Sequence, residues 1–229
     1  MRMEEILNKV ENRLREINLV KEKTLALSRE IILSCRKGIQ DIHNGDLDDA
    51  RKRLRVASRK VRNLYRLLEG FPELKNAGYV ENAVQEYVEA KCLYSIERRK
   101  TIPDPDKIGV SYITYLLGLC DTIGELRRFS LDAMKEGEID RANDYLGFME
   151  RIYNHIAEMD YPPALKRKRD IARSLIEKTK SELAVASCEK RIQDKIEEFR
   201  GFLDAVEKGK LREKGKLKRE MDLDVDRFW

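Results

Sequence analysis

The prolines of this chain fall in three places, at Pro72, at Pro103 and Pro105, and at Pro162 and Pro163. Proline lacks a backbone donor and clashes with the preceding helical turn, so each place marks a break and the tracts between are free to run as uninterrupted helix. From Met3 to about His43 the residues Ile6, Val10, Leu14, Ile17, Leu25, Ile32 and Ile39 recur at roughly helical spacing, which predicts one long helix. Asn44-Gly45-Asp46 supplies a stop and then a cap, and a second helix is expected from about Leu47 to Glu69, antiparallel to the first. A third, starting at Glu73 or Gly78, ends near Lys100, where the two prolines between Thr101 and Asp106 impose a loop. Ser111 caps a fourth helix reaching about Glu136, and a fifth spans Ile139 to Met159. Tyr161-Pro162-Pro163 opens a sixth to about Lys190, with further helix to Val206.

No strand-like alternation of useful length interrupts this pattern, so the fold class is all-α, a bundle of about six to seven long helices. Residues 1–207 are expected to form a single domain, and 208–229 a charged C-terminal segment, either helix or tail. Its Phe228 and Trp229 are expected to dock on a neighbouring subunit. Hydrophobic residues make up 41% of the 229, enough for a core, yet no apolar run is long enough to predict a membrane span. Cys35, Cys92, Cys120 and Cys188 are scattered, with no CxxC pair, which fits a reduced, cytoplasmic setting.

Two short acidic spacings stand out. Glu86 and Glu89 lie three apart on the third helix, and Asp121 and Glu125 four apart on the fourth, so each pair presents neighbouring carboxylates along one helix edge. Solvated acids are the plain reading in a chain with 42 of them. Against it, both helices carry apolar residues on two sides: Ala90, Leu93 and Ile96 beside the glutamates, and Leu117, Gly118 and Phe129 beside Asp121 and Glu125. Gly118 there permits close approach of a neighbouring helix. Half-buried carboxylates need a partner, and no matching lysine or arginine stands at the right spacing, so a hard cation such as Mg²⁺ or Mn²⁺ is the competing expectation. His43 and His155 read as hairpin or core residues, outside any ligand spacing. With no histidine expected near the acids, a ferritin-like di-iron site is disfavoured.

The 47 basic residues outnumber the acidic ones by only five, so overall balance says little about partners and clustering has to speak instead. Between Asp49 and Glu69 the second helix contains no acid but holds Arg51, Arg55, Arg59 and Arg62 along one face, with Lys60 beside them. Lys166-Arg167-Lys168-Arg169 places four cations in an early helical turn, where the macrodipole opposes them. Both clusters are expected to contact nucleic-acid phosphates in a salt-dependent way, against the plainer alternative of solvated helix faces.

The order Val84-Gln85-Glu86-Tyr87-Val88-Glu89-Ala90, then Ile113 through Leu126 with Asp121-Thr122-Ile123-Gly124-Glu125 inside it, then Gly137-Glu138-Ile139-Asp140, resembles the translin and translin-associated factor X (TRAX) family, specifically the TRAX branch. The likeness covers most of the chain, loosely outside the third to fifth helices, and this chain is shorter than the eukaryotic pattern between the third and fourth. The resemblance implies that Glu86, Glu89, Asp121 and Glu125 are the metal-binding catalytic residues of an endoribonuclease. It also implies a translin-like bundle that assembles into a hollow homo-oligomer, an octamer, with sites facing inward. The expected partner is single-stranded or gapped RNA, or single-stranded DNA, and the expected cofactor Mg²⁺ or Mn²⁺. Two alternatives stay open. An all-α nucleoside triphosphate pyrophosphatase also pairs ExxE with a second acidic helix, and a non-catalytic translin-like oligomer would bind nucleic acid without using the acids.

Overall fold

The structure, a computed structural model, describes residues 2–99, 101–159 and 163–225. Its helices are α1 (Met3–His43), α2 (Leu47–Leu68), α3 (Pro72–Lys75), α4 (Gly78–Arg99), α5 (Pro105–Ile108), α6 (Tyr112–Lys135), α7 (Ile139–Ala157) and α8 (Pro163–Val225). No strand occurs among the described residues. The all-α expectation holds, and four of the predicted helix starts, at Met3, Leu47, Gly78 and Ile139, are met. Lys100, Tyr161 and Pro162, invoked as helix ends, and Phe228 and Trp229, invoked for docking, lie outside the described residues.

Three differences have local causes. Glu73 belongs to a single turn, α3, opened by Pro72 and ended at Asn76, so the main helix begins at Gly78. The proline-rich loop carries its own turn, α5: the Asp104 carboxylate accepts from the Asp106 amide at 2.8 Å, and Gly109 leaves the turn in the left-handed region at φ 71°. Finally, α8 runs unbroken to Val225, since nothing after Pro163 forces a break; it takes in the segment from 208 that was expected as helix or tail.

The chain divides into two compact units, Met1–Lys180 and Ser181–Trp229. Within the first, α4 is the central helix and packs against α1, α2 and α6, while α7 covers α6. Val80, Val84, Tyr87, Val88, Ala90, Leu93 and Ile96 are all buried, so α4 is enclosed on most of its circumference and not along one stripe. The contact with α6 is close at one glycine. A Cβ added at Gly118 would stand 2.6 Å from the Cβ of Val88, closer than real Cβ atoms come, and a tight 3.0 Å from the Gln85 carbonyl. The first turns of α1 are different in kind: Ile6, Leu7, Val10 and Leu14 are exposed. In the second unit Val185, Ile192, Ile196, Phe199, Phe202 and Leu203 are exposed on α8. Among the described residues no helix is long and apolar enough to cross a membrane.

Candidate functional site

The predicted carboxylates flank the crossing of Gly118 with Val88. Glu86 and Glu89 come from α4, Asp121 and Glu125 from α6, and all four are partly buried. Their fields meet on Glu89. Burial first, then the charges of Asp121, Glu125 and Glu86, push its carboxyl up to about 8, with Lys168 the one opposing influence. Glu89 accepts no hydrogen bond from any described residue.

Glu86 and Asp121 are each held by a cation from another helix, and Glu125 by a histidine from another helix and, at 3.8 Å, by Arg128 of its own. On α1, the Arg36 guanidinium donates to Glu86 Oε1 at 3.1 Å. One end of that helix brings His43 Nε2 to 2.9 Å from Glu125 Oε2, and the imidazole lies flat on the Phe129 ring, centroids 3.8 Å apart and planes 8° apart. From α8, Lys168 Nζ donates to Asp121 Oδ2, to Gln85 Oε1 at 2.8 Å and to the Leu117 carbonyl at 3.4 Å. Burial of the neighbouring α1 thiol, Cys35, raises its pKa, helped by Glu86 and Glu89, which places the acid pair against that helix.

Two expectations are therefore corrected. Cations do stand beside these acids, and a histidine does too: Arg36, Lys168 and His43 come from 50, 47 and 82 residues away, beyond the reach of local spacing, whereas Arg128, 3.8 Å from Glu125 and three residues along the same helix, was a local partner that the spacing did offer. A signal was available on α1, where Arg36 and His43 are seven residues apart, two turns along one stripe. His155, by contrast, is exposed and makes no contact with the acids among the described residues.

As arranged, no three His, Cys, Asp or Glu side chains among the described residues stand close enough together to hold a metal ion. The chemistry of the donors nevertheless fits a hard divalent cation: the set is all carboxylate oxygen, and Glu89 is a half-buried acid without a partner among three others. The carboxylates of Glu86, Asp121 and Glu125 are turned to their own ion pairs.

The predicted basic residues separate into two groups. Arg51, Arg55, Arg59 and Arg62 are exposed along α2, whereas Lys60 pairs with Glu30 of α1 at 2.9 Å. In the second cluster Lys166 and Arg167 are exposed. Lys168 turns inward to Asp121, and Arg169 donates to the carbonyls of Ala157 and Met159 at 3.3 and 3.2 Å, closing the C-terminal end of α7. These contacts explain two cations in a turn whose dipole opposes them: they serve neighbouring helices.

Fold and site together define a helical bundle with a cation-braced carboxylate cluster at its central crossing. The Translin family model matches residues 4–183, and the chain belongs to that family. It is 38% identical over 182 residues, 77% of this chain and 81% of the other, to an uncharacterized protein of Methanocaldococcus jannaschii. It is 25% identical to the Translin-associated protein X homolog of Schizosaccharomyces pombe, over 76% of this chain and 80% of that one. Among solved structures it is similar to a complex of AfC3PO with duplex RNA, with a TM-score of 0.69 and 28% identity over 80% of this chain and 97% of the other. Apo-NeC3PO superposes with a TM-score of 0.73 at 22% identity, covering 79% and 96%, a likeness of fold.

Proposed function

We infer that this chain is a metal-dependent endoribonuclease that cleaves single-stranded or gapped RNA within a homo-oligomeric shell, with an octamer the assembly favoured by family membership. The observation that carries the reading is Glu89, partly buried, unpartnered and surrounded by three more carboxylates. An acid so placed is held at a cost that a bound Mg²⁺ or Mn²⁺ would relieve. Glu86, Glu89, Asp121 and Glu125 would hold the ion or ions, and the chemistry supplied there is activation of a water for in-line attack and stabilisation of the leaving oxygen.

The chain's own residues do the rest. Closing the carboxylates on an ion requires Lys168 to release Asp121, which frees its ammonium to meet phosphate charge at the same place. His43, fixed by Phe129, keeps Glu125 in orientation, and Arg36 does the same for Glu86. The exposed arginines of α2, with Lys166 and Arg167, suit tracking of the RNA backbone. The similar AfC3PO was solved in complex with duplex RNA, which supports RNA as the partner class. The exposed apolar residues at the start of α1 support assembly through that helix.

The ion pairs of Glu86 with Arg36, Asp121 with Lys168 and Glu125 with Arg128 favour a second reading, a translin-like binder whose acids are neutralised internally and do no chemistry. Labelled RNA incubated with the purified protein in Mn²⁺ or in EDTA separates the two. Manganese-dependent cleavage that is lost in Glu89→Ala and Asp121→Ala, with assembly and RNA binding retained, establishes the nuclease. Undiminished cleavage by both variants, or RNA binding with no cleavage in any divalent ion, sinks it. Release of pyrophosphate from nucleoside triphosphates under the same conditions would point instead to the pyrophosphatase alternative.

A further inference from the structure

The face of α4 turned away from the carboxylates carries a different chemistry. At 3.6 residues per turn, Lys91, Tyr94, Ser95 and Arg98 lie on the opposite side of the helix from Glu86 and Glu89. There, α2, α4 and the segment around α5 enclose a groove of about 360 Å³, to which Arg51, Arg55, Lys91, Arg98 and Lys107 contribute five cations and no residue contributes a carboxylate. A pocket of this size lies within the range of small-molecule sites.

Such a concentration of one sign in a concavity is unfavourable unless something anionic answers it. Asp46, Asp48 and Asp49 line an adjoining pocket that Tyr94 and Arg98 also border, but no acid lines this groove. Asp49 is paired with Lys52 at 2.6 Å, Asp104 accepts from the Asp106 amide, and Asp106 takes the Tyr112 hydroxyl at 3.1 Å. Lys91 is half-buried, has no ion pair or hydrogen bond among the described residues, and burial lowers the pKa of its amine. Arg98 is oriented by a 2.7 Å bond to the Tyr94 hydroxyl, and the loop wall is anchored where the Tyr115 hydroxyl donates to the Pro103 carbonyl at 2.5 Å. The groove is thus built from secured walls around guanidinium forks and ammonium groups, the combination that suits closely spaced phosphate oxygens.

We propose that this groove, formed by Arg51, Arg55, Lys91, Arg98 and Lys107 on the far side of α4, is a binding site for a di- or triphosphate group, as carried by a nucleotide or as the free oligophosphate. It is separate from the carboxylate cluster and does not depend on the nuclease reading. Leu54, Tyr94 and Ile108 give the groove a partly apolar lining against which a base can rest, whereas the stripe of α2 continues past it through Arg59 and Arg62 as an open face suited to a strand.

The test is calorimetric titration of the full-length protein with ATP and, separately, with inorganic triphosphate, in EDTA so that a metal-assisted contact at the carboxylates does not contribute. Saturable binding is expected, weakened at least tenfold in Lys91→Met and in Lys107→Gln and unchanged in Glu89→Gln. Lys91→Met removes a half-buried charge and keeps the aliphatic stem; Lys107→Gln alters an exposed position, so a folding defect in one leaves the other informative. Tighter binding of ATP than of triphosphate assigns a nucleotide, and equal affinity assigns the oligophosphate alone. The proposal is overturned if neither ligand saturates, if both lysine variants bind as the parent does, or if RNA occupies the groove and both small ligands fail to compete.

Discussion

Lys168, in the second turn of α8, donates its ammonium to the Asp121 carboxylate of α6 and so stands where a divalent ion would need that oxygen. A charged hydrogen bond of this kind contributes about 1.5 to 3 kcal/mol. Lys168→Met should therefore tighten Mn²⁺ binding on the order of tenfold, while RNA cleavage at saturating Mn²⁺ falls because the phosphate loses its ammonium partner. Manganese titration followed by electron paramagnetic resonance reads the first and a single-turnover cleavage assay the second. Weaker Mn²⁺ binding in the variant would show that Lys168 supports the ion and does not compete with it.

Glu89 gives a pH dependence of defined sign. Its carboxyl is raised from 4.5 to about 8 in the folded chain. Below the lower value both folded and unfolded chains are protonated and nothing is lost. Between the two the folded chain keeps a proton that the unfolded chain releases, so stability declines as pH rises, and the decline is complete above the folded value. The slope for one such group is at most about 1.4 kcal/mol per pH unit. Urea unfolding in EDTA at pH 5 and at pH 8 should show this loss in the parent and a flatter profile in Glu89→Gln, which is also expected to be the more stable protein at pH 8. Equal slopes would mean that Glu89 is already ionised in the folded chain.

At Gly118 the added methyl of alanine would meet Val88 at 2.6 Å. Overpacking of that kind costs about 1 to 3 kcal/mol. Gly118→Ala should lower the melting temperature and reduce cleavage by much more than it reduces RNA affinity, because the acids of α4 and α6 are pushed apart while the α2 arginines are untouched. A double variant with Val88→Gly, which removes both the Cβ and the Cγ1 that the new methyl would meet, should recover part of the lost cleavage relative to Gly118→Ala. Failure of that rescue would place the defect elsewhere than at the helix crossing.

Thiol chemistry reports on the same packing. Cys35, Cys92 and Cys120 are buried, and burial raises all three, Cys92 up to about 12 and Cys120 up to about 11, whereas Cys188 is exposed. Since the thiolate is the reactive form, native protein at pH 8 should react with a maleimide at Cys188 alone, and at the other three after denaturation. Mass spectrometry of labelled peptides reads the outcome; early labelling of Cys35 would mean that α1 lifts off Glu86 and Glu89.

The long helices were legible because the prolines are few and the apolar period between them is regular; Met3, Leu47 and Ile139 followed from local rules, and Gly78 was one of the two starts they left open. The carboxylate pairs were legible for the same reason, as i, i+3 and i, i+4 relations on single helices. Their partners were not. Arg36, His43 and Lys168 reach the acids only after α1, α4, α6 and α8 have packed; the seven-residue spacing of Arg36 and His43 puts both on one stripe of α1 but does not say what that stripe meets. Lys168 and Arg169 were read with Lys166 and Arg167 as one basic cluster, since adjacency in sequence hides the 100° turn that sends neighbours on a helix to different sides.

The single rod of α1 joins two features that sit at opposite ends of it. Its early turns expose Ile6, Leu7, Val10 and Leu14, and its last turns carry Arg36 and His43 onto Glu86 and Glu125. Forty-one residues of helix span about 60 Å. Because one unbroken helix carries both, the apolar end and the end that meets the acids form a single lever arm: any displacement of α1 would move the guanidinium and the imidazole together relative to the two carboxylates they hold.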